Sequence, residues 1–336
     1  MLSPAAKLSA KVCADDIEEK PTRDGFGAGV VFAGKKDERI VVLTADLAES
    51  TRAEWFEKEF PERFVEMGVA EQAMATVASG MAAVGKIPFI TSYAAFNPGR
   101  NYEQIRTTIA LNEANVKVCG MHAGVSVGPD GATHQMLEDI GMMRMLPNMI
   151  VLNPGDAIEA QKAVIAAAKH AGPVYLRFGR AATPVFTTEA TPFTLGKALT
   201  LFDPEAESSA PGTKPRVAIL STGALSYEAL RAAKALAAEG IAASVTHFAT
   251  VKPLDIEALE RTARRAGAVV TVEEHQAAGG FGSAVAELLG ERMLLPIARI
   301  GVRDRFGESG EPAELLAAFG LDAAAIAAAA KRLVLG

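Results

Sequence analysis

Met149-Ile-Val-Leu-Asn-Pro-Gly-Asp-Ala-Ile-Glu159, followed after a helical interval by Val174-Tyr-Leu-Arg-Phe178, is the stretch on which the fold reading turns. Two short apolar runs, each the length of a buried strand, enclose a segment with a helix-start signal. Asp156 can accept the free N–H groups of a first helical turn, and Glu159, three residues on, can bond back. The helix runs out near Gly172-Pro173. A strand, a crossing helix and a second strand form one βα repeat, and repeats of this kind call for a mostly parallel sheet with helices on both faces.

The same alternation continues upstream. Val30, Val31 and Phe32 fit a first helix, Arg39-Ile-Val-Val-Leu-Thr44 a strand, and Gln72–Val84 an Ala- and Met-rich helix. Ile87-Pro-Phe-Ile-Thr-Ser92 reads as a strand with its proline near the start, where a missing N–H matters least. Tyr102–Asn112 returns to helix and Val116–Gly120 to strand. Downstream, Ala181–Arg216 holds five prolines and Ser208-Ser-Ala-Pro-Gly212, the pattern of a linker with room for a hairpin. Alternation then resumes: Val217–Leu220 strand, Tyr227–Ala238 helix, Ser244–Phe248 strand, Ile256–Arg265 helix, Ala268–Glu273 strand. The Ala-rich tail, Leu321–Leu333, predicts a solvated or docked helix. The expectation is an α/β protein of two doubly wound domains, divided as extension 1–20, first domain 21–190, linker 191–215 and second domain 216–336.

Composition narrows the function. At 336 residues the chain is long enough for two domains, and 49% apolar with 22% charged residues is a globular balance. With 34 basic against 40 acidic residues, the net charge of −6 disfavours nucleic acid as a partner. No run of about 18 apolar residues stands out, so a membrane span is not expected. Met1–Lys20 lacks the apolar centre of a signal peptide. Cys13 and Cys119 are too few for a disulfide framework or a four-sulfur zinc site. The expectation is a cytoplasmic protein.

Sheets of this class bind ligands beyond their strand C-termini, and three loops there are unusual. They are Ala45–Thr51, Tyr93-Ala-Ala-Phe-Asn-Pro-Gly-Arg100, and His122–His134, which puts two of the five histidines and Asp130 within thirteen residues. His122 and His134 lack the helical spacing of a zinc site and no Cys or third His is near, which leaves Asp130 as the residue that could complete one. No Gly-Lys pair is followed by Ser or Thr, so a P-loop is absent. Ala278-Gly-Gly-Phe-Gly-Ser283 resembles a dinucleotide turn but reads more simply as a tight helix–strand turn. Glu71, in Gly68-Val-Ala-Glu-Gln-Ala-Met74, opens a helix whose next two turns carry no charge. It is either a carboxylate favoured by the helix dipole or a semi-buried acid matched to a heterocyclic nitrogen.

Taken together, Thr44-Ala-Asp-Leu-Ala, Met67-Gly-Val-Ala-Glu-Gln, the His122–His134 loop with Gln135-Met-Leu-Glu-Asp139, Thr271-Val-Glu-Glu-His275 with Gly279-Gly-Phe-Gly, and Ser309-Gly-Glu-Pro-Ala-Glu-Leu-Leu316 resemble the C-terminal half of the transketolase family. The match covers roughly Pro21–Leu333 and is most similar to the shorter subunit of split transketolases, a pyrimidine-binding domain plus a C-terminal domain. The resemblance implies thiamine diphosphate chemistry. Glu71 would hydrogen-bond the aminopyrimidine nitrogen, with Tyr93 and Phe96 packed on that ring. Complete enzymes often carry a third aromatic where this chain has Gly99-Arg100, so Arg100 is expected to complete the pocket. His122 and His134 would relay protons, Asp130 would read a sugar hydroxyl, and Arg23, Ser50, His122 and Arg180 would hold the terminal phosphate. Arg177 could instead be structural.

The family grips the diphosphate through Mg2+ on a Gly-Asp-Gly segment, and this chain has none. The resemblance therefore implies a separate diphosphate-binding N-terminal subunit that holds the metal, in an α2β2 assembly with sugar phosphates as substrates. A 2-oxoacid dehydrogenase β subunit shares the two-domain layout and the glutamate, but the His122–Gln135 loop is transketolase-like. A 1-deoxyxylulose-5-phosphate synthase fragment fits less well again. A non-catalytic scaffold of the same fold would need neither Glu71 nor the histidines. Ordinary pentose phosphates and branched or sulfonated sugars stay open as substrates.

Overall fold

The computed structural model describes residues 1–204 and 216–335. Its first sheet has seven strands in the spatial order Thr250–Lys252, Ile150–Leu152, Val174–Arg177, Lys117–Met121, Ile87–Tyr93, Ile40–Thr44 and Phe64–Glu66. All run parallel except Thr250–Lys252. Strands such as Ile40–Thr44 and Lys117–Met121 are buried on both faces, hence their largely apolar sequences. Alternate side chains serve opposite layers: Val42 and Phe89 pack with Phe26 and Val30, Leu43 and Ile90 with Met74 and Ala78. One layer is built on helices Thr22–Lys36 and Ala157–Lys169, the other on helix Glu71–Ala83. The Tyr102–Asn112 segment is only partly α-helical, passing into a π-helical turn over Ile105–Ala110.

Asp156 caps its helix as expected, accepting the Glu159 N–H at 2.9 Å. Glu159 does not close the box on Asp156. Its carboxylate takes the Gly155 N–H at 2.6 Å and lies 2.7 Å from His247 Nε2, which comes from the second domain.

The second sheet is ordered Ile297–Val302, Val269–Gln276, Val217–Ser221, Ala243–His247 and Leu199–Phe202, parallel except for the last. The region read as a linker with a hairpin thus supplies the edge strand Leu199–Phe202, anchored by the fully buried Leu201. Ser208–Gly212, Pro211 and Pro215, also part of that reading, lie outside the described residues. The N-terminal extension also belongs to this domain's wall. Ser3 donates to Leu201 O at 2.8 Å, and Ala6 is buried in the second core with Leu2, Leu8, Val12 and Ile17 against it.

Pro312–Leu335, at mean hydropathy 1.6 over its most apolar window, is long and apolar enough by composition to cross a membrane, a feature the sequence reading passed over. In the fold it is two helices, Pro312–Ala318 and Ala323–Leu335, with Gly320 at φ +66° between them. The second helix docks on Ser226–Ala238, burying Ile326, Ala329 and Ala330. The Gly279-Gly-Phe-Gly turn is structural. The Glu273 carboxylate takes the Phe281 and Gly282 N–H groups at 2.6 and 2.7 Å, filling that helix N-terminus from within the chain.

Candidate active site

Glu71 is the first residue of its helix and 1% exposed. Ser92, at the end of the neighbouring strand, donates to Oε1 at 3.0 Å, and Arg100 donates to Oε2 at 3.0 Å. The loop Tyr93–Asn101 is pinned by two buried asparagines. Asn97 donates to the Ile90 and Cys119 carbonyls, and Asn101 donates to Asn97 Oδ1 and to the Glu71 carbonyl. This places Phe96 beneath the Arg100 guanidinium, whose Cζ lies 4.6 Å from the ring centroid. Tyr93 and Phe96 are nearly parallel, 11° between planes with centroids 6.1 Å apart.

His134 meets both rings edge-on, at 5.6 Å from Tyr93 and 5.4 Å from Phe96. His122 lies 4.3 Å from Tyr93 on the other side. It is fully buried and leaves its strand at φ +53°, a backbone state that costs a non-glycine residue about 1–3 kcal/mol. Burial first, and then the nearby Arg23 and Arg180 charges, push its pKa down to about 3, so the ring is neutral near pH 7. Its Nδ1 is buried without a partner among the described residues. Arg23 donates to the Ser50 carbonyl at 2.8 Å and lies 3.2 Å from His122 Nε2. Ser50 thus enters the site through its carbonyl. Arg180 donates to Val127 O at 3.1 Å and to Asp130 Oδ1 at 2.9 Å.

The fold therefore joins Glu71, Arg100, Phe96, Tyr93, His134, His122, Arg23 and Ser50 by successive contacts, with Arg180, paired to Asp130, close enough to act on Arg23 and His122 through charge. Arg177 stands apart. Fully enclosed, it donates to Asp139 Oδ2 and to the Glu274 carbonyl, each at 2.8 Å, as a structural tie between the domains. Four participants escaped the sequence reading: Ser92, Asn97, Asn101 and Arg52. Arg52 adds a positive charge beside Arg23 while bonded to Asp24 at 2.8 Å. Only the two asparagines had a signal, their i,i+4 spacing around Pro98-Gly99.

Known proteins resemble this chain along most of its length. The transketolase pyrimidine-binding domain model matches residues 18–185 and the transketolase C-terminal domain model residues 207–326. A putative transketolase C-terminal section from Methanocaldococcus jannaschii is 43% identical, over 92% of this chain and 94% of that protein. A 6-deoxy-6-sulfo-D-fructose transketolase subunit from a Clostridium species is 41% identical over 94% of both. A solved structure described as a split gene transketolase, inactive beta4 tetramer, superposes with a TM-score of 0.85 at 43% identity, covering 94% of this chain and 98% of that one. This chain belongs to the transketolase family, whose enzymes generally use thiamine diphosphate, and has the layout of a split transketolase's C-terminal section.

Proposed function

We propose that this chain works with a separate diphosphate-binding subunit to move a two-carbon ketol unit from a ketose phosphate to an aldose phosphate. The observation that carries the reading is the unbroken line of contacts from a buried carboxyl, Glu71, across two aromatic faces and two histidines to a guanidinium cluster. When bound, thiamine diphosphate supplies the nucleophilic carbon and electron sink that side chains lack. The residues fit its aminopyrimidine. Glu71 Oε2 and the Phe96 face already receive a planar, N–H-bearing group, the Arg100 guanidinium, and Asn101 Oδ1 nearby is buried without a partner among the described residues.

In this reading Ser92 keeps Oε1 of Glu71 fixed while Oε2 holds the ring nitrogen, and Tyr93 and Phe96 exclude water from the ring. His122, neutral and with Nδ1 unengaged, shares a hydrogen bond with a sugar hydroxyl through that nitrogen, and His134 faces the same space. Arg23, Arg52 and Arg180 suit a terminal phosphate or sulfonate through charge-assisted bonds. Mg2+ is assigned to the partner subunit, because this chain lacks Gly-Asp-Gly. The exposed, uncharged helix face of Ala73, Val77 and Gly80, running from Val69 to Val84, suits a second copy in an α2β2 assembly. A cytoplasmic enzyme of pentose phosphate metabolism is the setting we favour.

The test is reconstitution with a Gly-Asp-Gly-bearing partner, thiamine diphosphate and Mg2+, against a panel of phosphorylated and sulfonated ketoses and aldoses. Ketol transfer is expected in the mixture and from neither chain alone; a competent isolated chain would overturn the split site. Glu71→Gln in the complex should lower turnover by at least about 10²-fold, and near-normal turnover would remove Glu71 from its role. Arg180→Ala should raise KM more for phosphorylated than for unphosphorylated sugars, and equal effects would show that Arg180 does not touch the phosphate.

A further inference from the structure

Three stretches of the second domain lie beside the first domain's loops: Thr271-Val-Glu-Glu-His275, the Phe306–Gly310 loop, and the start of Ser309-Gly-Glu-Pro-Ala-Glu-Leu-Leu316. All of them meet the His122–His134 loop. Glu274 follows the fully buried Glu273 and is itself nearly buried, with Oε1 accepting the Ser126 N–H at 2.7 Å. Gly124, at φ +95°, leaves the space that this carboxylate fills, since a Cβ there would stand 2.2 Å from Glu274 Oε1. The loop's far end is held the same way. Gln135 donates to Val125 O and Gly128 O within the loop and to Glu308 O across the domain boundary at 2.9 Å. Gly307 packs on the Gln135 amide so closely that a Cβ would fall 1.7 Å from Oε1, and Gly131 packs on Ser309.

We propose that Glu274 is a positioning residue for sugar binding. Through the Ser126 N–H, and together with the Gln135–Glu308 bond, it lets the C-terminal domain set the course of the loop that carries His122, Asp130 and His134. The geometry separates this task from cofactor binding. Glu71 and Phe96 are held by Ser92, Asn97 and Asn101 inside the first domain, and the clamp touches none of them. A buried backbone N–H also has few alternatives. Without Glu274, the Ser126 N–H loses the acceptor that fixes the loop at this point. Displacements of about 1 Å at reacting groups can cost about 10²-fold in rate.

The proposal rests on the ketol-transfer reading for its kinetic half only. In the reconstituted complex, Glu274→Ala should lower kcat/KM for the sugars by about 10–100-fold while half-saturation by thiamine diphosphate stays within about twofold of wild type. Glu274→Gln, which keeps the volume and an acceptor oxygen, should restore most of the loss. Gly307→Ala, on a loop and outside the positive-φ region, displaces Gln135 without emptying the core and should reproduce the same split if Glu274→Ala does not fold. On the isolated chain, hydrogen exchange of the Gly124–Gln135 amides should quicken in Glu274→Ala or Gly307→Ala, with exchange at Glu71–Ala83 unchanged. Sugar kinetics within twofold of wild type, or sugar and cofactor constants worsening together, would overturn the proposal. If the wild-type complex transfers no ketol unit, the functional reading fails, and the exchange pattern alone then decides the positioning role: unchanged loop exchange would overturn it.

Discussion

His122 illustrates how burial separates a residue's chemistry from its type. Its ring is neutral because water is excluded and two arginines stand nearby, and the cost of that neutrality is a pH dependence. The folded chain takes up the His122 proton only near pH 3, whereas the unfolded chain takes it up at about 6.5. Below 6.5 the unfolded state therefore binds more protons, and this contribution to stability falls as pH falls. Urea unfolding of the wild type and His122→Gln should show their stabilities converging by about 2 kcal/mol between pH 7 and pH 5; a constant difference would place the His122 pKa near its ordinary value. The same scale holds Lys117, whose ammonium is buried in the sheet but donates to Asn115 Oδ1 and to the carbonyls of His170 and Gly172 at 2.6–2.8 Å. Burial pulls its pKa down to about 7.

Among the elements, the strand Lys117–Met121 aims the His122–His134 loop, because His122 follows it directly. Its neighbour Val174–Arg177 brings the Tyr175 ring across Gly120, where a Cβ would stand 2.2 Å from the Tyr175 Oη. That hydroxyl donates to Asp139 Oδ2 at 2.7 Å, so it has no cheap direction in which to retreat. Gly120→Ala is expected to destabilise the chain by about 1–3 kcal/mol, read as a lower urea midpoint with an unchanged slope. A wild-type midpoint would mean that the ring accommodates the methyl. The strand positions were legible in the sequence, since both-face burial leaves an apolar run, whereas the packing of Tyr175 on Gly120 was not. The π-turn at Ile105–Ala110 and the edge strand Leu199–Phe202 were not, because each is defined by the neighbours it meets.

Across the whole molecule, each domain borrows from the other. Thr250–Lys252 completes the first sheet, while Met1–Ala6 lines the second domain's edge strand. Glu159, from the first domain, lies against His247 of the second, whose Nδ1 is 2.6 Å from Ser226 Oγ. Glu159→Ala would strand the Gly155 N–H and His247 in a sealed interface, at about 1–3 kcal/mol for each unsatisfied group. Breaking the exposed Lys58–Glu54 pair should cost less than about 0.5 kcal/mol. Thermal unfolding of both variants checks the contrast, and comparable losses would show that the domain contact is not tightly closed. The sequence by itself determined the alternating α/β plan, the three loops at the strand ends and the residue types of the site, because apolar period and turn chemistry are local. Only the tertiary structure decided that Arg100 lies on Glu71, that Arg180 pairs with Asp130, and that the second domain holds the His122–Gln135 loop. Those contacts join residues 29 to 173 positions apart, and no local pattern encodes which distant groups a packed interior brings within hydrogen-bond reach.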